Sequence, residues 1–446
     1  MAKRVLKGIS AVGITGMSNI FDTPAKLVDP KSGLITPALV LNADVLEGNA
    51  VPRGGYVKRI TLTRPHSLWS NGQTMLCVAE GATAAQALYL VGVDTATELE
   101  SLPGIVTPMS YVHHEDVIYY SSAYWRGIYD LRTASVRRWG IDLPAAPIVS
   151  LTDGNLVPGH YRLCYTALSN GAISGNGPIL DVAWDSGNRG LLLENYPAGA
   201  AVWLTHPNGG ELFLGTVDAN NVIDSFYGAQ KLPTLDVIPP PNLQWICFAF
   251  GRIWGASGKY LYYSEAFRPD AFKKGNFFKM PEDITLIAPI SDGLFVGTRK
   301  RITFLDGKDP KKMSAVREIP AGAVPGSLSY GLVSGGGYQV SRKLSQIEAA
   351  IWNTSSGIVM GVQGGHVLFL TDGVNKLYPR QNGATLVRDQ AGHQQIITTA
   401  YGIPLAEGPP AGLAFMLDAG KVGDRQADLS LESSGGFCLS GKIINS

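Results

Sequence analysis

Short apolar or alternating runs, separated by Asn-Gly, Asp-Gly and Gly-Gly dipeptides, follow one another along most of the chain. Alternation with a period of two residues is typical of β-strands, and these dipeptides are typical of tight hairpin turns. Runs with a helical period are almost absent. The pattern therefore predicts an all-β protein made of many short strands.

A weak repeat becomes visible when the turns are aligned: an apolar strand, a short turn, a second apolar strand, another turn and an aromatic-rich strand. The copies begin near Ser67, Met109, Ile246, Leu286 and Ile358. The first and second copies are about 42 residues apart and the third and fourth about 40, a period typical of four-stranded propeller blades. The fourth and fifth copies are about 72 residues apart, which leaves room for one more degenerate blade around residues 310–350. We therefore expect a β-propeller of five or six blades, whose faces become buried when the blades pack into a ring.

The second and third copies are about 137 residues apart, which exceeds one period by about 97 residues. This excess is the size of an immunoglobulin-like or fibronectin-like β-sandwich. Strand-like runs occur within it at residues 159–167, 200–205 and 211–215. Prolines flank it at Pro144, Pro147 and residues 239–241, as expected for linkers. The excess therefore predicts a sandwich inserted into the propeller.

The two ends of the chain are glycine-rich and weakly patterned, so we expect them to be arms that become ordered against neighbouring subunits. The predicted organisation is an N-terminal arm (1–50), a first propeller part (51–144), the inserted β-sandwich (145–241), a second propeller part (242–401) and a C-terminal arm (402–446).

Composition and charge narrow the function. The chain has 446 residues, of which 45% are hydrophobic and 16% charged, so intrinsic disorder is excluded as a class. The 37 basic and 36 acidic residues leave a net charge of +1, without the basic excess of proteins that wrap nucleic acid or bind anionic membranes. No signal peptide and no apolar run of about twenty residues is evident. We therefore expect a soluble protein without membrane insertion, made in the cytosol or built into a particle there.

The four cysteines, Cys77, Cys164, Cys247 and Cys438, are far apart in sequence, and three of them lie in apolar runs. A free thiol in such a run behaves as a small hydrophobic side chain. We therefore expect no disulfide framework.

His113, His114, Glu115 and Asp116 form the most conspicuous polar cluster, since these side chains are possible zinc ligands. The repeat places the four residues at a turn that Asn-Gly or Asp-Gly occupies in other copies. If they continue a strand instead, the two histidines point to opposite faces and cannot easily share one ion. We expect a solvated turn and no metal.

Three other motifs resemble site fragments. Thr-Asp-Gly at residues 152–154 and 371–373 lacks the further carboxylates of a calcium loop and is a common hairpin signal. Ser-Gly-Gly-Gly at 334–337 lacks the Gly-Lys-Ser/Thr ending of a phosphate loop. Ser-Asp-Gly at 291–293 is at most a fragment of the boxes of sialidase-like propellers. Nucleophile elbows and Cys-x-x-Cys pairs are missing. We therefore expect no catalytic centre and no cofactor.

Aromatic residues cluster in two of the repeat copies, where they could stack on sugars or bases. The members are Tyr119, Tyr120, Trp125, Tyr129, Tyr260, Tyr262 and Tyr263. The favoured interpretation is that they fill the space between blades.

Several motifs resemble propeller-bearing phage virion proteins. They are Gly-Ile-Thr-Gly-Met-Ser-Asn at 13–19, Val-Leu-Asn-Ala-Asp-Val at 40–45, Val-Pro-Arg-Gly-Gly at 51–55, Tyr119-Tyr120, Tyr129-Asp130, Trp139-Gly140-Ile141 with Pro144, Tyr263-Ser264 with residues 269–272, and residues 296–299 with Phe304. The pattern spans roughly residues 10–400 and is similar to nozzle or tail-tube subunits of short-tailed phages.

The resemblance implies a structural, non-enzymatic component of a phage tail, assembled in the host cytoplasm. It implies a homohexameric ring at the DNA exit path that binds a tail adaptor and lets genomic DNA pass without sequence-specific binding. Two alternatives stay open: a receptor- or glycan-binding propeller on the virion surface, and a minor structural protein of a long-tailed phage. An enzyme on a propeller scaffold is disfavoured by the missing catalytic motifs.

Overall fold

A computed structural model describes residues 43–46, 49–52, 58–169, 171–225, 228–334, 346–354, 357–371, 381–390, 393–401 and 436–442. Strands dominate these residues, and the helical element among them is a single 3-10 turn at Gln363–Gly365. The first two strands, β1 (Ala43–Leu46) and β2 (Asn49–Pro52), form an antiparallel pair. The predicted all-β class is confirmed.

Two four-stranded antiparallel sheets come next, and each pairs its strands in chain order. The first blade consists of β3 (His66–Ser70), β4 (Met75–Ala79), β5 (Gln86–Val91) and β6 (Ala96–Leu102). The second blade consists of β7 (Ser110–His114), β8 (Val117–Ser121), β9 (Arg126–Asp130) and β10 (Ser135–Arg138).

The region predicted as a sandwich folds into two antiparallel sheets and a small hairpin. Its strands are β11 (Val149–Leu156), β12 (Gly159–Thr166), β13 (Leu168–Ser169), β14 (Ala172–Ile173), β15 (Leu180–Trp184), β16 (Arg189–Leu193), β17 (Ala201–Thr205), β18 (Leu212–Leu214) and β19 (Val222–Ile223). One sheet has the order β11-β16-β19 and the other β15-β12-β17-β18, while β13 pairs with β14.

Three more blades follow the sandwich. The third blade contains β20 (Val237–Ile238), β21 (Gln244–Ala249), β22 (Arg252–Ser257), β23 (Tyr260–Glu265) and β24 (Arg268–Lys279). The fourth contains β25 (Ile284–Ile290), β26 (Gly293–Thr298), β27 (Ile302–Asp306) and β28 (Ser314–Ile319). The fifth contains β29 (Ser329–Ser334), β30 (Gln346–Thr354), β31 (Gly357–Val362) and β32 (His366–Phe369). A last sheet joins β33 (Asn382–Gln390), β34 (His393–Tyr401) and β35 (Gly436–Lys442).

The repeat is more regular than the sequence suggested. The run at residues 358–362, predicted to open the fifth copy, is β31, the third strand of its blade. The first strand is β29, which begins at Ser329, one period of about 45 residues after Ile284. The predicted position of a degenerate blade at 310–350 is therefore wrong, because β28 completes the fourth blade and β29 starts the fifth. The additional sheet lies later in the chain, at β33–β35.

Neighbouring blades pack face to face through buried apolar side chains. The fourth and fifth blades enclose Phe295, Phe304 and Trp352, with the rings of Phe295 and Trp352 5.4 Å apart. Comparable clusters lie between the second and third blades, around Trp139, and between the fifth blade and β33–β34, around Ile396. In these three pairs, each sheet therefore buries a face against its neighbour in the chain, as propeller blades do.

The inserted sandwich, which the interval between repeat copies predicted, is confirmed. Tyr161, Tyr165 and Leu163 on β12 are buried against Leu191 and Val202 from both sheets. Trp203 on β17 is also buried, on the opposite face of its sheet, where its indole N–H donates a 2.9 Å hydrogen bond to Thr166. Cys164 and Leu212 are buried with Trp203, so this second face of the sheet is covered as well.

Two compact units make up the chain: Met109–Met280, and Met1–Pro108 together with Pro281–Ser446. The first of these holds the second blade, the sandwich and the third blade. Val237–Ile238, assigned to the sandwich from the sequence, forms a fifth strand of the third blade. Within the predicted arms, strands occur at Ala43–Leu46 and Gly436–Lys442, and most other arm residues lie outside those described.

Candidate functional site

The histidine cluster of the second blade is divided between a strand and a turn. His113 and His114 end β7, and the turn itself is Glu115-Asp116. His113 is exposed, whereas the half-buried His114 stacks on Phe248 with ring centroids 4.0 Å apart. The predicted turn is therefore shorter than four residues, and one histidine packs against an aromatic ring of the third blade.

Asp153-Gly154 was predicted as a hairpin turn, and this is wrong. It lies inside β11, where the pairing with β16 shifts between Thr152 and Leu156. A Cβ atom at Gly154 would lie 2.5 Å from the backbone of Gly190. Asp153-Gly154 therefore lies in an irregular part of β11, where the missing side chain of Gly154 lets the backbones of β11 and β16 approach closely.

Asp292 occupies the turn between β25 and β26, as predicted for Ser-Asp-Gly at 291–293. Its Oδ2 accepts a 2.7 Å hydrogen bond from the amide of Gly364, and its carbonyl accepts one of 2.9 Å from the amide of Gly307. The carboxylate therefore fastens the fourth blade to the fifth. Of the two remaining motifs, only Ser334, Leu370 and Thr371 are described, and residues 335–337 and 372–373 lie outside the described residues.

The three cysteines with described side chains are free thiols. Burial raises the pKa of Cys77 and Cys247, and it raises the pKa of Cys164 to about 12. Since the thiolate is the reactive form, these groups are poor nucleophiles and metal ligands at neutral pH. Cys438 lies in β35, where side chains are outside the description.

Among the described residues, His, Cys, Asp and Glu side chains form no group of three or more that could hold a metal ion. No helix among the same residues is long and apolar enough to cross a membrane.

Both linkers of the sandwich are held by Arg126 at the start of β9. Its Nε donates a 3.0 Å hydrogen bond to the carbonyl of Trp139, and its Nη1 donates one of 2.9 Å to Oδ1 of Asn242. The side chain is 13% exposed, and Asp142 lies 3.9 Å from Nη2. Burial lowers the pKa of Arg126, as does the nearby Arg138. One guanidinium therefore joins the chain entering the sandwich to the chain leaving it.

The loop of the sandwich at residues 174–177 packs against the same linkers. Thr234 donates a 2.6 Å hydrogen bond to the carbonyl of Ser174, and the amide of Asp236 donates one of 2.8 Å to Asn176. A Cβ atom at Gly175 would lie 1.6 Å from the carbonyl oxygen of Val237. Because Val237 pairs with β24, this loop docks the sandwich directly onto the third blade.

The aromatic clusters fall into two classes. Tyr119, Tyr120 and Tyr129 are buried in the second blade, as the space-filling interpretation predicts. Tyr260 and Tyr262, on β23, are instead partly open to solvent. The sequence alone does not separate the two classes: Tyr129 and Tyr260 both lie in the third strand of their repeat copy, yet Tyr129 is buried and Tyr260 is exposed.

Tyr260 and Tyr262 form a surface cluster with Phe277 of β24, which the sequence analysis missed. Phe277 lies edge-on to Tyr260 at 5.2 Å and tilted to Tyr262 at 5.7 Å. Tyr260 is 37% and Phe277 39% exposed. We call these three residues, with Lys259 and Lys279, the hairpin surface. Tyr260 pairs with Lys279 across the strands, and Lys259 directly precedes Tyr260. Lys279 therefore lies opposite Tyr260 on the same face of the sheet, and Lys259 belongs to the turn between β22 and β23.

Comparisons with known proteins identify no family. No family model matches the chain, and no curated protein matches it. Among solved structures, BBS1N in complex with ARL6DN is 9% identical, with 76% of this chain and 90% of that chain covered and a TM-score of 0.29. For Sqt1 of Saccharomyces cerevisiae the identity is 11%, the coverage 70% and 75%, and the TM-score 0.29. Hsv2p of Kluyveromyces lactis is 9% identical, with 76% of this chain and 94% of that chain covered and a TM-score of 0.26. Similarity at this level carries no argument about function, and the blade assignment rests on the strand order and the packed blade faces.

Proposed function

We propose that the chain is a structural subunit of a phage tail, which acts by binding protein neighbours and not by catalysis. The observation that carries this proposal is the fixed attachment of the sandwich to the second and third blades. Arg126, the loop at 174–177 and strand β20 hold the two parts together at several points. A subunit with two bodies in a fixed relation can contact different neighbours with each body.

The finer proposal is a ring-forming nozzle or tail-tube subunit at the DNA exit path. Contacts between unlike surfaces of identical copies close into a ring when the rotation per subunit allows it. The net charge of +1 suits a passage for DNA, because extensive neutralisation of phosphates would hold the DNA in place. A hexamer on a tail adaptor follows from the sequence resemblance alone.

Electron microscopy of intact particles tests both levels of the proposal. We expect density for this chain as a closed ring around the tail axis. Density at the tip of a fibre, in three copies or fewer and away from the DNA axis, would contradict the nozzle. Absence of the chain from purified particles would contradict the structural role altogether.

A further inference from the structure

The hairpin surface has the properties of a ligand site. We propose that Tyr260, Tyr262 and Phe277, with Lys259 and Lys279, bind a sugar ring that carries a negative charge, as found in acidic polysaccharides. The site does not depend on the assembly proposed above, because every residue of it belongs to one hairpin of the third blade.

The three rings form an apolar surface whose side chains hold one another in place before any ligand binds. Each ring contacts the other two, with centroids 5.2 to 6.2 Å apart, so little side-chain freedom remains to be lost on binding. Tyr260 and Phe277 are exposed, and Tyr262 beneath them is partly buried against the core between the second and third blades. Exposed aromatic rings that lie together are a feature of interaction sites.

Two lysines flank Tyr260, one before it along the chain and one opposite it in the strand pair, while Lys273 of the same hairpin pairs with Glu265. Among the described residues, neither Lys259 nor Lys279 belongs to an ion pair. The hairpin at residues 259–279 carries five lysines and arginines against one Glu and one Asp, a net +3, whereas the whole chain carries +1. A partner of opposite charge is therefore favoured at this place.

The phenol groups distinguish a sugar from a nucleic acid base. The hydroxyls of Tyr260 and Tyr262 have no hydrogen-bond partner among the described residues, so each can donate and accept. A sugar ring has apolar C–H faces and a rim of hydroxyls that fit such a surface. Single-stranded nucleic acids instead use successive stacking faces along a groove. Here the rings are tilted or edge-on around one point, which suits a single ring of ligand.

Protection of an open sheet edge explains only part of this surface. β20 pairs with Phe272 and Lys273 alone, so residues 277–279 of β24 have a strand on one side only. A lysine at such an edge discourages pairing with other chains. That role accounts for Lys279, but it does not require an exposed aromatic cluster beside it.

Binding of the purified full-length chain to immobilised probes tests the proposal. The probes are polygalacturonate, heparin, neutral dextran and single-stranded oligothymidylate, measured by biolayer interferometry at 0.15 M salt. We expect binding to at least one of the two acidic polysaccharides and none to dextran. Tyr260→Ala and the double variant Lys259→Gln/Lys279→Gln should each weaken binding by about tenfold or more.

Matched controls separate the site from general charge and from misfolding. Phe267→Ala removes a ring that is 82% exposed in the same hairpin but outside the cluster, and Lys311→Gln/Lys312→Gln removes two exposed lysines from the fourth blade. Both should bind like the wild-type chain, and all variants should melt and elute from a sizing column alike. The proposal is overturned if neither acidic polysaccharide binds, if the controls lose as much affinity, or if oligothymidylate binds more tightly than both.

Discussion

The replacement of Gly175 by alanine tests how the sandwich is docked on the third blade. The added Cβ would lie 1.6 Å from the carbonyl oxygen of Val237 and 2.5 Å from its carbonyl carbon. Both obstacles are backbone atoms, so no side-chain rotation relieves the clash. Since such contacts below 3.0 Å are essentially never seen, the loop and the linker must separate by at least about 1.4 Å.

This displacement breaks the hydrogen bonds beside Gly175. The bond from Thr234 to Ser174, at 2.6 Å, and the bond from Asp236 to Asn176, at 2.8 Å, both lengthen beyond the range of a useful hydrogen bond. Two lost bonds at about 0.5–1.5 kcal/mol each lower the local free energy of opening by about 1–3 kcal/mol. Amide exchange in the linker should therefore become about 5- to 150-fold faster.

Hydrogen exchange followed by mass spectrometry measures this effect in a peptide spanning residues 234–238. Gly210→Ala is the matched control, because Gly210 lies in the same sandwich and a Cβ there meets nothing within 4 Å. Peptides from the fourth blade should exchange alike in both variants. Equal protection of residues 234–238 in Gly175→Ala and Gly210→Ala would refute the docking described here.

Three other perturbations test blade packing and burial. Gly361→Ala places a Cβ 2.6 Å from one buried ring and 2.7 Å from another in the interface of the fourth and fifth blades. Thermal denaturation should show that the free energy of unfolding falls by about 1–3 kcal/mol. Gly275→Ala, which has open space at its Cβ, should show no such loss. Cys164, whose pKa is raised to about 12, should resist alkylation at pH 8 in the native protein and react after denaturation; fast native labelling at Cys164, found by peptide mapping, would contradict its burial. Burial lowers the pKa of His66, so the unfolded chain binds a proton more readily than the folded chain does. The contribution of His66 to stability is therefore present above pH 6.5 and is lost as the pH falls. His66→Gln should flatten the decline in melting temperature between about pH 7 and 5.

The sequence predicts the blades best where hydrogen bonding is local. In the first, second and fourth blades, the runs and turns visible in the sequence coincide with the first three strands of each sheet, and in the third blade they coincide with β21, β22 and β23. A hairpin places its pairing partners within a few residues, so these strands leave a local signal. The fifth blade was misread because β29 and β30 are separated by residues 335–345, which begin with three glycines and carry little alternation. Strand β20 has two residues, and its pairing with β24, which follows three further strands, leaves no local signal.

The hairpin surface could not have been derived from alternation, because β24 contains an irregularity. Between the pairs Ser264↔Phe272 and Tyr262↔Phe277, β23 advances by two residues and β24 by five, an excess of three residues. In a regular strand Phe272 and Phe277 would point to opposite faces, since they are an odd number of residues apart. The excess restores them to one face, where Phe272 is buried and Phe277 reaches solvent beside Tyr260 and Tyr262.

The same irregularity decides where the neighbouring ring goes. Phe278 packs on the other face, near Trp254 and Tyr263, with ring centroids 6.3 and 5.9 Å away. Simple alternation from Phe272 would have assigned Phe278, and not Phe277, to the face of Tyr262. The four residues between Phe272 and Phe277, Lys273-Lys274-Gly275-Asn276, include a glycine whose Cβ position is open, and they contain two of the five cations of the hairpin. One bulge therefore both exposes the aromatic cluster and concentrates positive charge in the hairpin that carries it, which is why the site depends on strand register as much as on composition.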